Sequence, residues 1–257
     1  MTPQQKTLFI TGGASGIGYT MAEYFGAQGH TIILADINLE AAQVAANKLS
    51  DSGYHAHPIR LDVGSLEDIA SLPERMGDVK VDVLVNNAGI QHVSRIEDFP
   101  PEKWQLLINI MLVGPAMLTQ TFLPGMRERN YGRIINVGSI HSLVASPFKS
   151  AYIAAKHGLI GLAKTVALEN GDKNITINTL CPAYVKTPLV EAQIAKQAIE
   201  NGISEEDVVN KIMLEPMPKK AFIEPLELAQ TAEFLMSDAA KNMTAQTLVL
   251  DGGWVAR

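Results

Sequence analysis

Short apolar runs alternate along this chain with longer stretches in which apolar residues recur every three or four positions. "TLFIT" (7–11), "TIILAD" (31–36), "HPIRLDV" (57–63), "VDVLVNN" (81–87), "RIINVGS" (133–139), "ITINTL" (175–180) and "TLVLDGG" (247–253) read as strands, several of them continuously apolar. A strand reads that way when helices cover both of its faces. Between them, 16–28, 39–50, 65–76, 102–129, 150–170 and 225–237 carry the amphipathic period of helices. Gly29 follows the first of these as a C-terminal cap. The alternation predicts an α/β fold: a Rossmann-type, doubly wound parallel sheet of seven strands. No linker, repeat or low-complexity tract divides the 257 residues, so a single domain spans 1–257. One irregular insertion, 188–218, breaks the rhythm. Its Val190, Ile194 and Ala198, then Val208, Ile212 and Leu214, predict two short helices over an opening. A lid that closes on a ligand and a pair of ordinary surface helices fit that pattern equally well.

Composition narrows the function classes. With 47% hydrophobic and 19% charged residues the chain can bury a large core. A net charge of −6 argues against a nucleic-acid partner, whose phosphates demand a basic face. The start, "MTPQQKTLFITGG", has no long apolar stretch, so no signal peptide is expected. No segment is expected to reach the ~20 apolar residues of a membrane span. The expected compartment is the cytoplasm, with no membrane partner. Cys181 is the single cysteine, which excludes an internal disulfide and a Cys-rich metal site; closing the apolar run "ITINTLC", it reads as packing. No metal site is expected.

Chemistry enters with "TGGASGIG" after the first strand. Gly12, Gly16 and Gly18 let the backbone turn tightly, and Ser15 and Ile17 complete a loop that leads into a helix N-terminus, where a pyrophosphate can rest. A Gly-rich turn alone is weak evidence. Asp36 at the end of the second strand strengthens it, since a carboxylate there accepts from ribose hydroxyls and repels a 2′-phosphate. Ala14 and Ser15 supply no cation to offset that repulsion, so NAD is the expected cofactor rather than NADP. Read alone, Asp36 is also an ordinary turn residue. Asp62, at the end of the third strand, either touches the adenine or only forms a turn.

Tyr152 and Lys156 stand four apart in "SAYIAAKHG" and so share one face of a helix. An adjacent ammonium is expected to lower a phenol from its usual value near 10, and a phenol so tuned exchanges a proton with an alcohol or ketone. Ser139, at a strand's C-terminal end, is placed to hold the reacting oxygen. Separately these are a surface lysine, a half-buried tyrosine and a strand-end serine. Joined to the glycine loop and "NNAG" (86–89), they make one site.

"TGGASGIG", Asp36, "LDV", "NNAG", Ser139, "YIAAK" and "CPAYVKTP" together resemble the short-chain dehydrogenase/reductase family over essentially the whole chain. The resemblance implies that Lys156 also holds the nicotinamide ribose and that Val63, Asn87, Ala88 and Gly89 lie beside the cofactor. It places Val185 and Thr187 at the carboxamide, and it implies a homotetramer assembled through 102–129, 150–170 and the last strand. Ala183 stands where the family has Gly. Met111 stands where the family has a catalytic Asn, and Asn109, two residues earlier, lies on a different helical face. The family relays protons through that residue's main-chain carbonyl. Pro115, having no N–H, leaves the Met111 carbonyl without its i+4 partner, which either preserves the free acceptor or merely kinks the helix.

Gln91, His141, Lys149 and Gln193 each read singly as solvated polar residues; two cations and two amides together suit a small carboxylate. "NNAGIQH", "VASPFKSAYIAAKHG", "TPLVEAQI" and "DGGW" are similar to the D-3-hydroxybutyrate dehydrogenase group. That similarity implies that these four residues bind the substrate carboxylate, with Tyr184 where the group usually has Trp. The implied reaction converts (R)-3-hydroxybutyrate and NAD to acetoacetate and NADH. Other readings remain a polyol dehydrogenase, a 3-oxoacyl reductase, or a dinucleotide-binding sensor left silent by Met111.

Overall fold

Residues 5–256 are described by a computed structural model, the side chains of Leu189 and Glu200 excepted. The strands are β1 (Thr7–Thr11), β2 (Thr31–Asp36), β3 (His55–Arg60), β4 (Val83–Asn86), β5 (Gly132–Val137), β6 (Ile175–Pro182) and β7 (Thr247–Leu250). All neighbours pair in parallel, in the order β3-β2-β1-β4-β5-β6-β7. The chain winds outward from β1 in one direction, then returns through β4 in the other. The expected doubly wound sheet of seven strands is thus the observed one.

Alternate side chains of each strand feed two cores. Ile10, Leu34, Val85, Ile135 and Leu180 face the helices α1 (Gly16–Ala27) and α10 (Pro225–Met236). Phe9, Ile33, Leu84, Ile134 and Ile177 face the opposite layer, built by α6 (Gly114–Glu128) and α7 (Ser150–Glu169). These strands are buried on both faces, which is why they lack a polar alternation.

The strands end earlier than the apolar runs do, because side chains capture the next amides. Asp68 accepts from the amide of Asp62 at 2.8 Å, so β3 stops before Leu61–Val63. Thr11 Oγ1 accepts from Asn87 N–H at 2.9 Å and Ala88 N–H at 3.0 Å, which closes β4 at Asn86. Asp251 accepts from the amides of Gly253 and Val255, both at 2.8 Å, folding "DGG" into a turn beyond β7. Each diversion opens the same edge of the sheet, and the cavity forms there.

Three helical expectations need correction. The stretch 65–76 is two short helices, α3 (Leu66–Ala70) and α4 (Leu72–Met76), because Pro73 starts a new one. The stretch 102–129 is α5 (Pro101–Ile108), a π-helical turn over Asn109–Val113, and then α6. In that turn the Gly114 amide reaches back five residues to the Asn109 carbonyl. Taken as one piece, Pro101–Glu128 is long and apolar enough to cross a membrane, contrary to the expectation that no segment approaches a span. It packs instead on α3, α7 and the sheet.

The insertion holds two helices as expected: α8 (Pro188–Asn201), and α9 (Glu205–Val208) running into a second π turn over Val209–Met213. That extra residue shifts the inward face by one position. Met213 is fully buried, whereas Ile212, expected inside, is 39% exposed.

Gly114 marks a tight crossing, since a Cβ there would strike the Val63 carbonyl oxygen. Backbone cannot give way as a side-chain tip can. We expect Gly114→Ala to lose about 1–3 kcal/mol of unfolding free energy, measured by urea titration.

Candidate active site

All of the candidate site residues read from the sequence, except Gly18 and Met111, line one cavity of about 480 Å³ at the C-terminal edge of the sheet. One end is built by the glycine turn. Gly12 and Gly16 have φ of +62° and +54°, which side-chain-bearing residues avoid. A Cβ on Gly12 would lie 3.1 Å from Ala88 Cα, so the turn is also pressed against the NNAG loop. Asn87 Nδ2 donates to the carbonyls of Thr11 at 2.8 Å and Gly12 at 3.2 Å, fixing that contact. Gly18 lies behind the wall rather than in it: a Cβ there would strike the Gly12 carbonyl. Its place is close packing of α1 on the turn.

The residues fit a dinucleotide. Ser15, Gly16 and Ile17 present the α1 N-terminus to the cavity, the place for a pyrophosphate. Asp36 is aimed by two backbone donors, Ala14 N–H at 3.2 Å and Asn38 N–H at 3.1 Å, with free lone pairs left at the wall. Ile37, beside it, is 60% exposed. This end of the wall also holds Leu61 and Ile110, apolar positions that their sequence pattern did not single out.

Ser139, Tyr152 and Lys156 meet in the middle of the cavity. Ser139 caps a short 3₁₀ turn, Ile140–Ser142, and its Oγ accepts from the His141 amide at 3.1 Å. The Ser142 hydroxyl in turn accepts from the Ser139 amide at 3.2 Å, so the serine is held from both sides. Lys156 donates from Nζ to the Val137 carbonyl at 2.7 Å, with Nζ 5.6 Å from the centre of the Tyr152 ring. Burial holds Lys156 down to about 8. Burial pushes the Tyr152 phenol above its ordinary value, opposed by a hydrogen bond from Ser139. The expected lowering by Lys156 is therefore not found. The ammonium is turned to a carbonyl, and removing water from the phenolate dominates. Cys181 is fully buried below, and burial keeps its thiol protonated, in keeping with packing.

Met111 is 1% exposed and packs with Phe99, Leu107, Ala151 and Ala155, against Tyr152. Its thioether lies outside the cavity wall. Asn109 points away, its side chain accepting from Gln105 at 2.8 Å on the exposed face.

The far end gathers Gln91, His141, Lys149, Tyr184 and Gln193. Lys149 Nζ lies 3.4 Å from His141 Nε2 and 5.9 Å from the Tyr184 ring centre. His141 is clasped edge-on between Tyr152 and Trp254, at 6.3 and 6.0 Å between ring centres. Trp254 also stacks on Tyr184 at 6.1 Å. Its place behind the wall had no signal beyond the "DGGW" string. Burial and then the Lys149 charge hold His141 down to about 4, so it is a neutral imidazole at pH 7 and not the second cation expected. Burial also lowers Lys149, which is left as the cation of this end. Gln91 Oε1 and His141 Nδ1 are buried without a well-formed hydrogen bond.

The arrangement combines a nucleotide cradle, a proton-handling phenol and a cationic end. Residues 6–198 match the model of the short chain dehydrogenase family. The chain is 43% identical to a D-beta-hydroxybutyrate dehydrogenase of Cupriavidus necator over 257 residues, 98% of each chain. It is 39% identical to an uncharacterized oxidoreductase of Bacillus subtilis over 99% of this chain and 100% of that one. The solved L-sorbose reductase of Gluconobacter frateurii, complexed with NADPH and L-sorbose, matches with a TM-score of 0.92 at 30% identity, covering 98% of this chain and 97% of that chain. The chain belongs to the short-chain dehydrogenase family and is an NAD(P)-dependent oxidoreductase acting on an alcohol or ketone.

Proposed function

We propose that this enzyme interconverts (R)-3-hydroxybutyrate and acetoacetate with NAD. The observation that carries the reading is the cationic end of the cavity. Lys149 is largely withdrawn from water and makes no ion pair among the described residues, and no Asp or Glu lines the wall beside it. Among the described residues, the two carboxylates of the wall, Asp36 and Asp62, belong to the nucleotide end. A desolvated ammonium without a counter-charge favours an anionic ligand, and Gln91 and Gln193 offer amide donors beside it. Tyr184, buttressed by Trp254, forms an aromatic wall for a short apolar end. The D-beta-hydroxybutyrate dehydrogenase relative supports the same substrate.

When bound, the nicotinamide ring supplies the hydride acceptor. The protein does the rest. Lys149, His141 and the two amides fix the carboxylate, which sets how far C3 reaches into the middle of the cavity. The Ser139 hydroxyl orients the substrate oxygen. In the reduction Tyr152, held as the phenol, donates its proton to that oxygen, and in the oxidation its phenolate takes the proton back as the hydride leaves C3. Lys156, held near 8, stays mostly charged at neutral pH while able to pass a proton onward. Asp36 supports NAD over NADP, because a 2′-phosphate would meet an aimed carboxylate with no cation in that wall. In this reading α8 is the lid that brings Gln193 onto the acid and excludes water. The compartment implied is the cytoplasm.

Met111 leaves the relay with a backbone acceptor only. Pro115 has no N–H, so it serves neither the Ile110 carbonyl in the five-residue register of the π turn nor the Met111 carbonyl in the four-residue register of α6. We read Pro115 as keeping that carbonyl open to a relaying water. The apolar positions left exposed on α5, α7, α10 and β7 (Leu106, Leu168, Phe234 and Val249) support packing of further copies into a homotetramer.

NADH formation from each enantiomer of 3-hydroxybutyrate, with NADP and sorbitol as controls, tests the reaction. We expect the (R) acid with NAD to exceed each alternative by about a hundredfold in kcat/KM; preference for the (S) acid or the polyol overturns the assignment. Pro115→Ala should lower kcat about tenfold with KM unchanged; full turnover sinks the relay reading. Sedimentation equilibrium should give four copies per particle, and a monomer would refute the assembly.

A further inference from the structure

Phe148, the residue before Lys149, has φ +68°. It sits in the turn at Pro147–Phe148, and a proline followed by a left-handed residue is the order of a type II turn, in which Gly or Asn normally takes the second place. A bulky aromatic there is a genuine outlier and persists only where its surroundings over-determine it. Two contacts do so. The Ser94 amide donates to the Phe148 carbonyl at 2.9 Å. The Arg95 guanidinium lies over the Phe148 ring at 5.5 Å. The ring itself is 48% exposed, so no core holds it.

Both clamping residues belong to the segment that follows Gln91, and the turn they clamp leads directly into Lys149, which precedes α7. Two polar residues of the cationic end, far apart in sequence, are thereby tied to each other outside the cavity. The left-handed residue sends the Phe148 side chain outward while Lys149 reaches inward to 3.4 Å from His141. Extended or right-handed backbone at 148 would swing the lysine stem off that line.

We propose that Phe148 is a positioning residue for Lys149, its left-handed turn locked by Ser94 and Arg95 so that the ammonium stays aimed at the substrate's acid group. The inference rests on the carboxylate reading above. It makes the selectivity for an acid over its neutral ester depend on an exposed residue that touches no substrate. Phe148→Asn keeps a residue that tolerates the left-handed region, whereas Phe148→Val introduces a β-branch that does not.

The test compares kcat and KM for (R)-3-hydroxybutyrate, for its methyl ester and for NAD in wild type, Phe148→Val, Phe148→Asn and Arg95→Ala. Phe148→Val should raise KM for the acid about tenfold, with KM for the ester and for NAD unmoved. Phe148→Asn should restore the acid KM to within about threefold of wild type. Arg95, on the exposed rim, gives a second route should Phe148→Val not fold: Arg95→Ala should raise the acid KM selectively as well. Equal rises for acid and ester, or Val and Asn variants that behave alike, overturn the positioning role. A wild-type enzyme that does not prefer the acid to its ester overturns the carboxylate reading itself, and with it this proposal.

Discussion

The shape of the site hangs on the junction between Thr11 and Asn87. The Thr11 hydroxyl donates to the Val85 carbonyl and accepts two amides from the start of the NNAG loop, while the Asn87 amide reaches back to two carbonyls of the first strand and its turn. These bonds replace the ladder bonds that β1 and β4 give up where they part. A buried strand end without them would leave several polar groups dry, at about 1–3 kcal/mol for each. With them, the chain is able to splay at the centre of the sheet, the glycine turn is pressed into place, and a cavity opens where the winding reverses.

Burial is the second governing influence. Lys156, Lys149 and His141 have all been moved toward their neutral forms by the removal of water, and among the described residues none has a carboxylate beside it in the wall. Such groups are costly to keep in a dry place, and stability alone would replace them with apolar side chains. Their presence around one tyrosine is a functional signature of the kind that a sequence hints at and geometry makes definite.

Much of this is legible in the order of residues alone. Uninterrupted Val and Ile runs announce strands covered on both faces, and their alternation with helical periods announces the parallel winding. The glycine turn, Asp36, Ser139, Tyr152 and Lys156 stand out because the chemistry needs those residue types at fixed distances from strand ends. What escapes is whatever depends on one extra residue or on water. The two π turns leave no periodic trace, so Met213 rather than Ile212 faces inward, and the long apolar stretch mimics a single helix. The Tyr152 proton affinity escapes because spacing shows a neighbouring charge but not which way it points or how dry the ring is. Trp254 and the turn at Phe148 act through contacts made across the fold, which no local string contains.

The π turn over Asn109–Val113 has a consequence for how this enzyme can be altered. Ile110 forms part of the nucleotide wall, and Met111, its immediate neighbour, packs on the helix that carries the tyrosine. Gly114, just beyond, has its Cα against the main chain of Val63 in the same wall. On the proposed reading, coenzyme affinity and turnover share a few consecutive residues of one widened coil of backbone. Evolution or engineering working on this stretch has no independent dials: a substitution that eases the grip on the adenine end also re-seats the floor under the phenol.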